Sequence, residues 1–108
     1  MLERIKLVQG DNLPYIRLTL RHANGEPMDV SGATVKMYFR ERGTTTVTST
    51  IICTKPTGGH DGVVVFNFYG STLNVNPGYY EGEIEVDYSG LKQTVYNTLQ
   101  FHVRAQFA

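Results

Sequence analysis

The 108-residue sequence has one cysteine, no tryptophan and no excess of charge of either sign. The single cysteine, Cys53, excludes an intrachain disulfide framework and a cysteine metal cluster, and its neighbours Ile51 and Ile52 indicate a buried or half-buried thiol. Lys and Arg number ten, as do Asp and Glu, so the formal net charge is zero. This balance argues against nucleic acid as a partner, since binding through phosphate contacts normally needs a basic excess.

Long apolar runs are also absent from the sequence. No apolar stretch of signal-peptide length follows the charges of residues 1–8, and no stretch approaches the roughly 20 apolar residues of a membrane span. We therefore expect a protein made in the cytosol and kept there or released by lysis, with no membrane partner. The chain opens with Met and carries no visible tag, from which we expect a complete gene product.

No segment longer than a turn has the 3.6-residue period of an amphipathic helix, whereas period-two alternation is common. The clearest case is the segment 78–88, which we expect to be a central antiparallel strand because side chains alternate between the two faces of a strand. One face carries Tyr80, Gly82, Ile84, Val86 and Tyr88, and the other carries Tyr79, Glu81, Glu83, Glu85 and Asp87.

The same alternation predicts six further strands, with turn residues between them at intervals near ten residues. They cover residues 3–8, 15–21, 33–40, 44–54, 63–68 and 92–104. Residue Asn97 interrupts the inward pattern of the last strand, and we expect a bulge there. Leu73, in the crossover 69–77, is expected to plug one end of the core.

Seven short strands describe an all-β protein, an antiparallel β-sandwich forming a single domain over residues 1–108. A small closed barrel is the structural alternative. The sandwich topology assigns Tyr80 to the tyrosine-corner position, where its ring packs inward and its hydroxyl bonds to backbone of the preceding crossover.

The acidic row Glu81, Glu83, Glu85 and Asp87 is the first place to look for chemistry. Alternate carboxylates on a strand lie roughly 7 Å apart, a spacing open to a divalent cation or to paired-carboxylate catalysis. The third predicted strand, however, places Lys36 and Arg40 on the same outward face. We therefore expect cross-strand charge pairs on a solvated or partner-facing surface.

Other catalytic or cofactor signals are weak. The histidines His22, His60 and His102 have no metal-ligand spacing, and His60-Asp61 lies among glycines in a loop, 55–62, that we expect to be flexible. No nucleophile elbow, phosphate loop or dinucleotide fingerprint occurs. We therefore predict no enzyme activity, no metal and no cofactor.

Outward aromatic residues offer another kind of site. Tyr38, Tyr79 and Tyr96 are predicted to point outward on neighbouring strands. Tyrosine beside arginine on a sheet face is typical of protein interfaces, although plain cross-strand packing and sugar stacking are alternatives. The expected interface residues are Tyr38, Arg40, Tyr79, Glu81, Glu83 and Tyr96. The uncharged segment 44–54 is a further candidate, for pairing with a strand of another chain.

The order of motifs resembles a known family. The matching residues are Asp11-x-Leu13-Pro14, then Asn24-Gly25-x-Pro27-x-Asp29-Val30-Ser31-Gly32-Ala33-Thr34-Val35, then Gly62-Val63-Val64-x-Phe66, and Pro77-Gly78-x-Tyr80-x-Gly82-Glu83. This run, over roughly residues 11–104, resembles the immunoglobulin-like domain at the N-terminus of phage baseplate upper proteins and of related small tail and virion proteins.

The resemblance implies a phage virion structural protein, assembled in the host cytoplasm, that acts as a connector module in the tail, baseplate or neck. Its partners would be other virion proteins and copies of itself. In the baseplate proteins this domain precedes a longer chain, whereas this sequence stops at Ala108, so the fibre-anchoring role is not carried over. The alternatives are a capsid decoration protein and a carbohydrate-binding module for host-surface glycans.

Overall fold

The computed structural model describes residues 4–107 and shows eight β-strands and no helix in that range. The strands are β1 (Ile5–Val8), β2 (Tyr15–Thr19), β3 (Thr34–Glu41), β4 (Ser49–Ile52), β5 (Val63–Asn67), β6 (Gly78–Tyr88), β7 (Leu91–Thr94) and β8 (Leu99–Arg104). The all-β prediction is confirmed, and β6 has the predicted bounds. Residue 3 of the predicted first strand lies outside the described residues.

The strands form two sheets. The large sheet has the order β1-β8-β6-β3-β4, with β7 also paired to β6, and the small sheet consists of β2 and β5. All the pairs are antiparallel except one, because β1 runs parallel to β8 with Ile5 opposite Phe101. The prediction of an entirely antiparallel fold was therefore wrong at β1. Residues 9–14 carry the chain away to the small sheet, so β1 forms no hairpin with β2.

The predicted last strand is two strands, which raises the number from seven to eight. Both β7 and β8 pair with the same side of β6, with Thr94 opposite Glu85 and Leu99 opposite Gly82. Two residues of β6 therefore face the four residues 95–98, so this segment contains two extra residues. The interruption predicted at Asn97 is there, but it is larger than a one-residue bulge.

The fourth strand is shorter than the predicted range 44–54. A turn holds its first part, because the backbone N–H and the hydroxyl of Thr44 both donate to the Glu41 carbonyl oxygen, at 3.2 and 2.7 Å. Strand β4 is the edge of the large sheet. Beyond it, Thr54 forms a bridge with Val65 of the small sheet. In residues 4–107 no pairing joins β1 to β2, so the two sheets do not close into the alternative barrel.

The core lies between the two sheets. Phe39 of the large sheet contacts Phe68, whose ring centroid is 5.4 Å away in the chain that follows β5, and it stacks on Tyr80 at 4.9 Å. Each fully buried side chain of this size contributes about 1.5–3 kcal/mol through the hydrophobic effect. Leu73 is fully buried, as expected. Met28 and Val30 are also buried, although both lie outside the predicted strands.

The glycine-rich loop 55–62, expected to be flexible, is tied to the 30–33 segment. The Val30 N–H donates to the Gly59 carbonyl oxygen at 2.8 Å, and the Lys55 ammonium donates to the carbonyl oxygens of Val30, at 3.2 Å, and Ala33. The positive φ angles of Gly58, Gly59 and Gly62 shape this loop rather than loosen it.

Residues 4–107 contain no helix long and apolar enough to cross a membrane.

Candidate functional site

The outer face of the large sheet brings together charged residues of β3 and β6. The antiparallel register confirms the expected pairing, with Arg40 opposite Glu81 and Lys36 opposite Glu85. The Arg40 guanidinium makes an ion pair with Glu81, with Nη2 and Oε1 2.9 Å apart. Because the Arg40 side chain is 43% exposed, this pair contributes at most about 1 kcal/mol to stability.

Four of the predicted interface residues line one shallow depression on this face. It has a volume of about 250 Å³, and its lining comprises Tyr38, Arg40, Val47, Glu81, Gly82, Glu83 and Thr98. Val47 comes from the loop before β4, and Thr98 comes from the extra residues between β7 and β8. The depression therefore lies on the sheet face, and two irregular segments form its borders. Sequence alternation alone does not predict these borders.

Tyr38 is held at the centre of this face. Its hydroxyl donates to Oε1 of Glu85 at 3.0 Å, so one carboxylate of the acidic row is hydrogen-bonded to this tyrosine. Burial and, to a smaller extent, the hydrogen bond to Glu85 raise the pKa of Tyr38. The hydroxyl therefore stays protonated at neutral pH and acts as a donor to the carboxylate.

Tyr79 lies on the same outward face of β6, two residues before Glu81, and its neighbours are basic residues. Its ring stacks on the His102 imidazole, with centroids 4.6 Å apart and planes 17° apart. The guanidinium carbons of Arg4 and Arg42 lie 4.7 and 5.6 Å from the centroid of the same ring. Tyr79 is 46% exposed, so this aromatic group remains accessible although its neighbours cover part of it.

Tyr96 lies apart from the other predicted interface residues. It is 95% exposed and belongs to the segment between β7 and β8, not to a strand as predicted. It borders a second depression of about 480 Å³, whose lining includes Arg21, His22 and Met28. The predicted interface residues therefore fall on two separate surfaces.

Tyr80 points into the core at 3% exposure, on the opposite side of β6 from Tyr79. Its hydroxyl donates to the carbonyl oxygen of Asn76, four residues earlier in the crossover, at 2.7 Å. This is the hydrogen bond that a tyrosine corner makes. Burial raises the pKa of Tyr80, and the charge of Glu41 adds to this effect.

The histidine in the loop 55–62 pairs with Asp29 and not with its neighbour Asp61. His60 Nδ1 lies 3.2 Å from Oδ2 of Asp29, whereas Asp61 accepts a hydrogen bond from the Thr57 hydroxyl at 2.6 Å. Hydrogen bonds from the Ser31 hydroxyl and backbone, and then from His60, lower the pKa of Asp29 to about 2. Both members of the His60–Asp29 pair are exposed, so they lie on the surface and not in a pocket.

Across the described part of the chain, no group of three or more His, Cys, Asp or Glu side chains is arranged to hold a metal ion. The acidic row on β6 is instead opposed by Lys36, Arg40 and, on β7, Lys92, which lies opposite Asp87.

Sequence reasoning missed the surroundings of Tyr79. Arg4, Arg42 and His102 lie on three different segments, and the parallel pairing of β1 with β8 brings Arg4 to this end of the sheet. The outward position of His102 could be read from alternation. The register of the terminal strands could not, because a parallel pair has no connecting turn to fix it.

Comparisons with known proteins add one finding. No protein-family description matches this chain, and no curated protein sequence matches it. Among solved structures, the chain is similar to the N-terminal domain of ORF48 of phage TP901-1, with a TM-score of 0.58 and 15% sequence identity. The match covers 96% of this chain and 85% of that chain. At this level of identity, the likeness shows that the two chains share an all-β fold.

Proposed function

We propose that this protein is a phage virion structural protein that acts as an assembly module in the tail, baseplate or neck. The observation that carries the proposal is the structural likeness to a phage protein domain over 96% of the chain. The run of motifs from Asp11 to Glu83 supports it independently, because it resembles phage baseplate upper proteins. We propose further that the protein is no enzyme and joins other virion proteins and copies of itself.

The strand order supports an immunoglobulin-like assignment of the fold. The large sheet contains β8-β6-β3-β4 and the small sheet β2-β5, which correspond to strands G-F-C-C′ and B-E of an immunoglobulin sandwich. Tyr80, near the start of β6, then occupies the tyrosine-corner position of strand F. The parallel β1 takes the place of the first strand, which runs beside the last one.

The edge of β4 supports assembly by strand addition. The antiparallel pairing places Ile51 opposite Met37 with its side chain fully buried, while Thr50 and Ile52 lie exposed at the edge. Strand β4 contains no charged residue. Among the other edge strands of the described chain, β1, β2 and β7 contain Lys6, Arg17 and Lys92, which discourage pairing with another chain. Strand β5 is also uncharged, but Thr54 bridges its outer edge at Val65.

The virion role is tested by mass spectrometry of phage particles purified on a density gradient. We expect the protein to band with the particles at a fixed ratio to the major capsid protein. Removal of tails before the gradient separates the possible locations, because a tail component leaves with the tails and a capsid decoration protein stays with the heads. Absence of the protein from purified particles would falsify the proposal.

The role of the β4 edge is tested by introducing a charge there. Ile52 is 57% exposed, so Ile52→Lys leaves the core intact while placing a charge on the free edge. We expect this variant to fold and to be lost from assembled particles. Leu13→Lys, at a position 88% exposed outside the strands, is the matched control and should assemble normally. Normal incorporation of Ile52→Lys would exclude the β4 edge as the contact.

Carbohydrate binding is the second candidate function, and the position of Tyr96 favours it. The ring is 95% exposed beside a depression that also offers the polar side chains of Arg21, His22 and Asn97. A glycan array is the test, with Tyr96→Ala as the variant and Tyr15→Ala, exposed on the small sheet, as the control. Glycan binding lost only in Tyr96→Ala supports this function, and the absence of any glycan binding rejects it.

A further inference from the structure

A row of basic and aromatic side chains crosses the outer face at one end of the large sheet. Lys6 lies opposite His102 in the β1–β8 pair, and His102 lies opposite Tyr79 in the β8–β6 pair. The Arg42 N–H donates to the Tyr79 carbonyl oxygen at 2.9 Å, which continues the row past the end of β3. Arg4 reaches the same ring. We call these five residues the basic row.

The basic row gathers like charges at one place. The guanidinium carbons of Arg4 and Arg42 both lie within 6 Å of the Tyr79 ring centroid, where the ring attracts cations. Within residues 4–107, neither of these arginines nor Lys6 has a carboxylate oxygen within 4 Å. Arg40, by contrast, is already paired with Glu81. These cations lie close together around the stacked Tyr79 ring, and no carboxylate of residues 4–107 neutralises them. They therefore form a surface complementary to carboxylates.

The length of the basic row indicates how the carboxylates are arranged. Neighbouring strands lie about 4.8 Å apart, so a row from β1 to the end of β3 spans about 14 Å. Alternate side chains of an extended polypeptide lie roughly 7 Å apart on one side. Three acidic residues at alternate positions of an extended segment therefore match the row from Lys6 to Arg42.

We propose that the basic row binds an extended, carboxylate-rich segment of a partner protein. The segment crosses the strands, and its acidic side chains meet Lys6, His102, Arg4 and Arg42, with guanidinium–carboxylate hydrogen bonds as the main contacts. The inference extends the assembly role proposed above by naming the chemistry of one partner. Carboxylates are favoured over nucleic acid because the chain has zero formal net charge and the basic row is short.

The test is direct binding of a fluorescein-labelled peptide of alternating Glu and Ser, measured by fluorescence anisotropy at low and at higher salt. We expect saturable binding that weakens as salt rises, since exposed charges are screened. The double variant Arg4→Gln/Arg42→Gln should raise the dissociation constant about tenfold or more. Both side chains are exposed, and an unchanged melting temperature shows that the variant is folded.

Three controls decide the outcome. Arg17→Gln, exposed on the small sheet, should bind the Glu peptide as wild type does, and a Gln-Ser peptide should not bind wild type. Absence of binding, equal binding of the Glu and Gln peptides, or full affinity in the double variant would overturn the proposal. If an oligothymidylate binds more tightly than the Glu-Ser peptide, and through the same arginines, the proposal is overturned in favour of nucleic acid. The result does not depend on whether the protein is found in particles, so the two proposals fail separately.

Discussion

Gly82, one of the two glycines of β6, lies where two large side chains meet. A β-carbon at Gly82 would stand 2.8 Å from Sδ of Met37 and 2.9 Å from Cε2 of Phe101. Gly82 is buried in the middle of the strand and has no unusual backbone conformation, so its role is to leave room for the core. Glycine weakens a strand by itself, and here that weakness is offset by close packing of larger groups.

Replacing Gly82 by alanine should therefore overpack the core. We expect Gly82→Ala to lower the free energy of unfolding by about 1–3 kcal/mol in urea denaturation. Gly32→Ala is the matched control, because a β-carbon there meets nothing within 4 Å, and its effect should stay within about 0.5 kcal/mol. Equal stability of the two variants would show that Met37 and Phe101 move aside without cost.

The hydroxyl of Tyr80 supports a second prediction. Tyr80→Phe keeps the stacking on Phe39 but leaves the Asn76 carbonyl oxygen without its donor. We expect a loss of about 1 kcal/mol in the free energy of unfolding. Tyr69→Phe is the control, since Tyr69 is 51% exposed. A thermal melt of Tyr80→Phe that coincides with wild type would remove the tyrosine corner as a stabilising feature.

At the scale of elements, the loop 55–62 shows how glycine can fix a backbone. At Gly62, φ is +77°, and a β-carbon would stand 2.5 Å from the Leu20 carbonyl oxygen and 3.0 Å from that of Met28. The Gly62 carbonyl oxygen also accepts a hydrogen bond from the Leu20 N–H at 2.8 Å. The loop therefore docks on the chain at the end of β2 and at Met28 through a contact that only glycine allows.

A comparison of Gly62→Ala with Gly58→Ala separates the cost of a side chain at positive φ from the cost of a steric clash. Both glycines have positive φ, so each alanine variant bears a conformational cost of about 1–2 kcal/mol. A β-carbon at Gly58 meets nothing within 4 Å, whereas at Gly62 it collides with backbone. We expect Gly62→Ala to lose at least about 1 kcal/mol more than Gly58→Ala in chemical denaturation. Similar losses in the two variants would mean that the docking contact yields easily.

The elements differ in how far the sequence predicts them. Strand β6 has the predicted bounds because strict alternation and the following Ser89-Gly90 turn leave one interpretation. The last predicted strand divides because residues 95–98 contain a two-residue insertion. An even insertion leaves odd-numbered residues on the inward face, so Leu99 keeps its predicted face and alternation does not show where the strand divides. Met28 and Val30 escaped prediction because burial of a loop depends on tertiary contacts with residues such as Gly59.

At the scale of the whole molecule, the buried thiol links stability to pH. Burial raises the pKa of Cys53 to about 12 from its ordinary value of 9. A group whose pKa is higher in the folded state contributes stability that is complete below its unfolded pKa and is lost as pH rises through its folded pKa. The contribution of Cys53 is therefore complete below pH 9 and is lost between about pH 9 and 12.

We expect the free energy of unfolding to fall above pH 9 with a slope of at most about 1.4 kcal/mol per pH unit from this group. Tyr38 and Tyr80 have raised pKa values and act in the same direction, so the comparison with Cys53→Ala isolates the thiol. The variant should be less stable at pH 8 but should show a shallower slope above pH 9. Parallel curves for the two proteins would contradict the assignment.

The candidate site was predicted from the sequence in part. Alternation alone placed Tyr38, Arg40, Glu81 and Glu83 on one outward face, and the structure brings them to one depression. The basic row depends on long-range pairing of β1 and on a residue after β3, and neither has a local signature. Sequence periodicity therefore predicts which face of its strand a side chain occupies. Its neighbours on other strands follow only from the register of the strand pairs, which periodicity does not give.

The parallel pairing of β1 with β8 has a mechanical consequence. A load that enters at Ile5 and leaves at Arg104 acts at opposite ends of this pair, because Ile5 lies beside Phe101 and Val8 beside Arg104. The inter-strand hydrogen bonds then bear the load together in shear, whereas a hairpin pulled at its two open ends unzips one bond at a time. Forced unfolding is governed by the barrier that must be crossed under load. The fold therefore resists tension that is applied through Ile5 and Arg104.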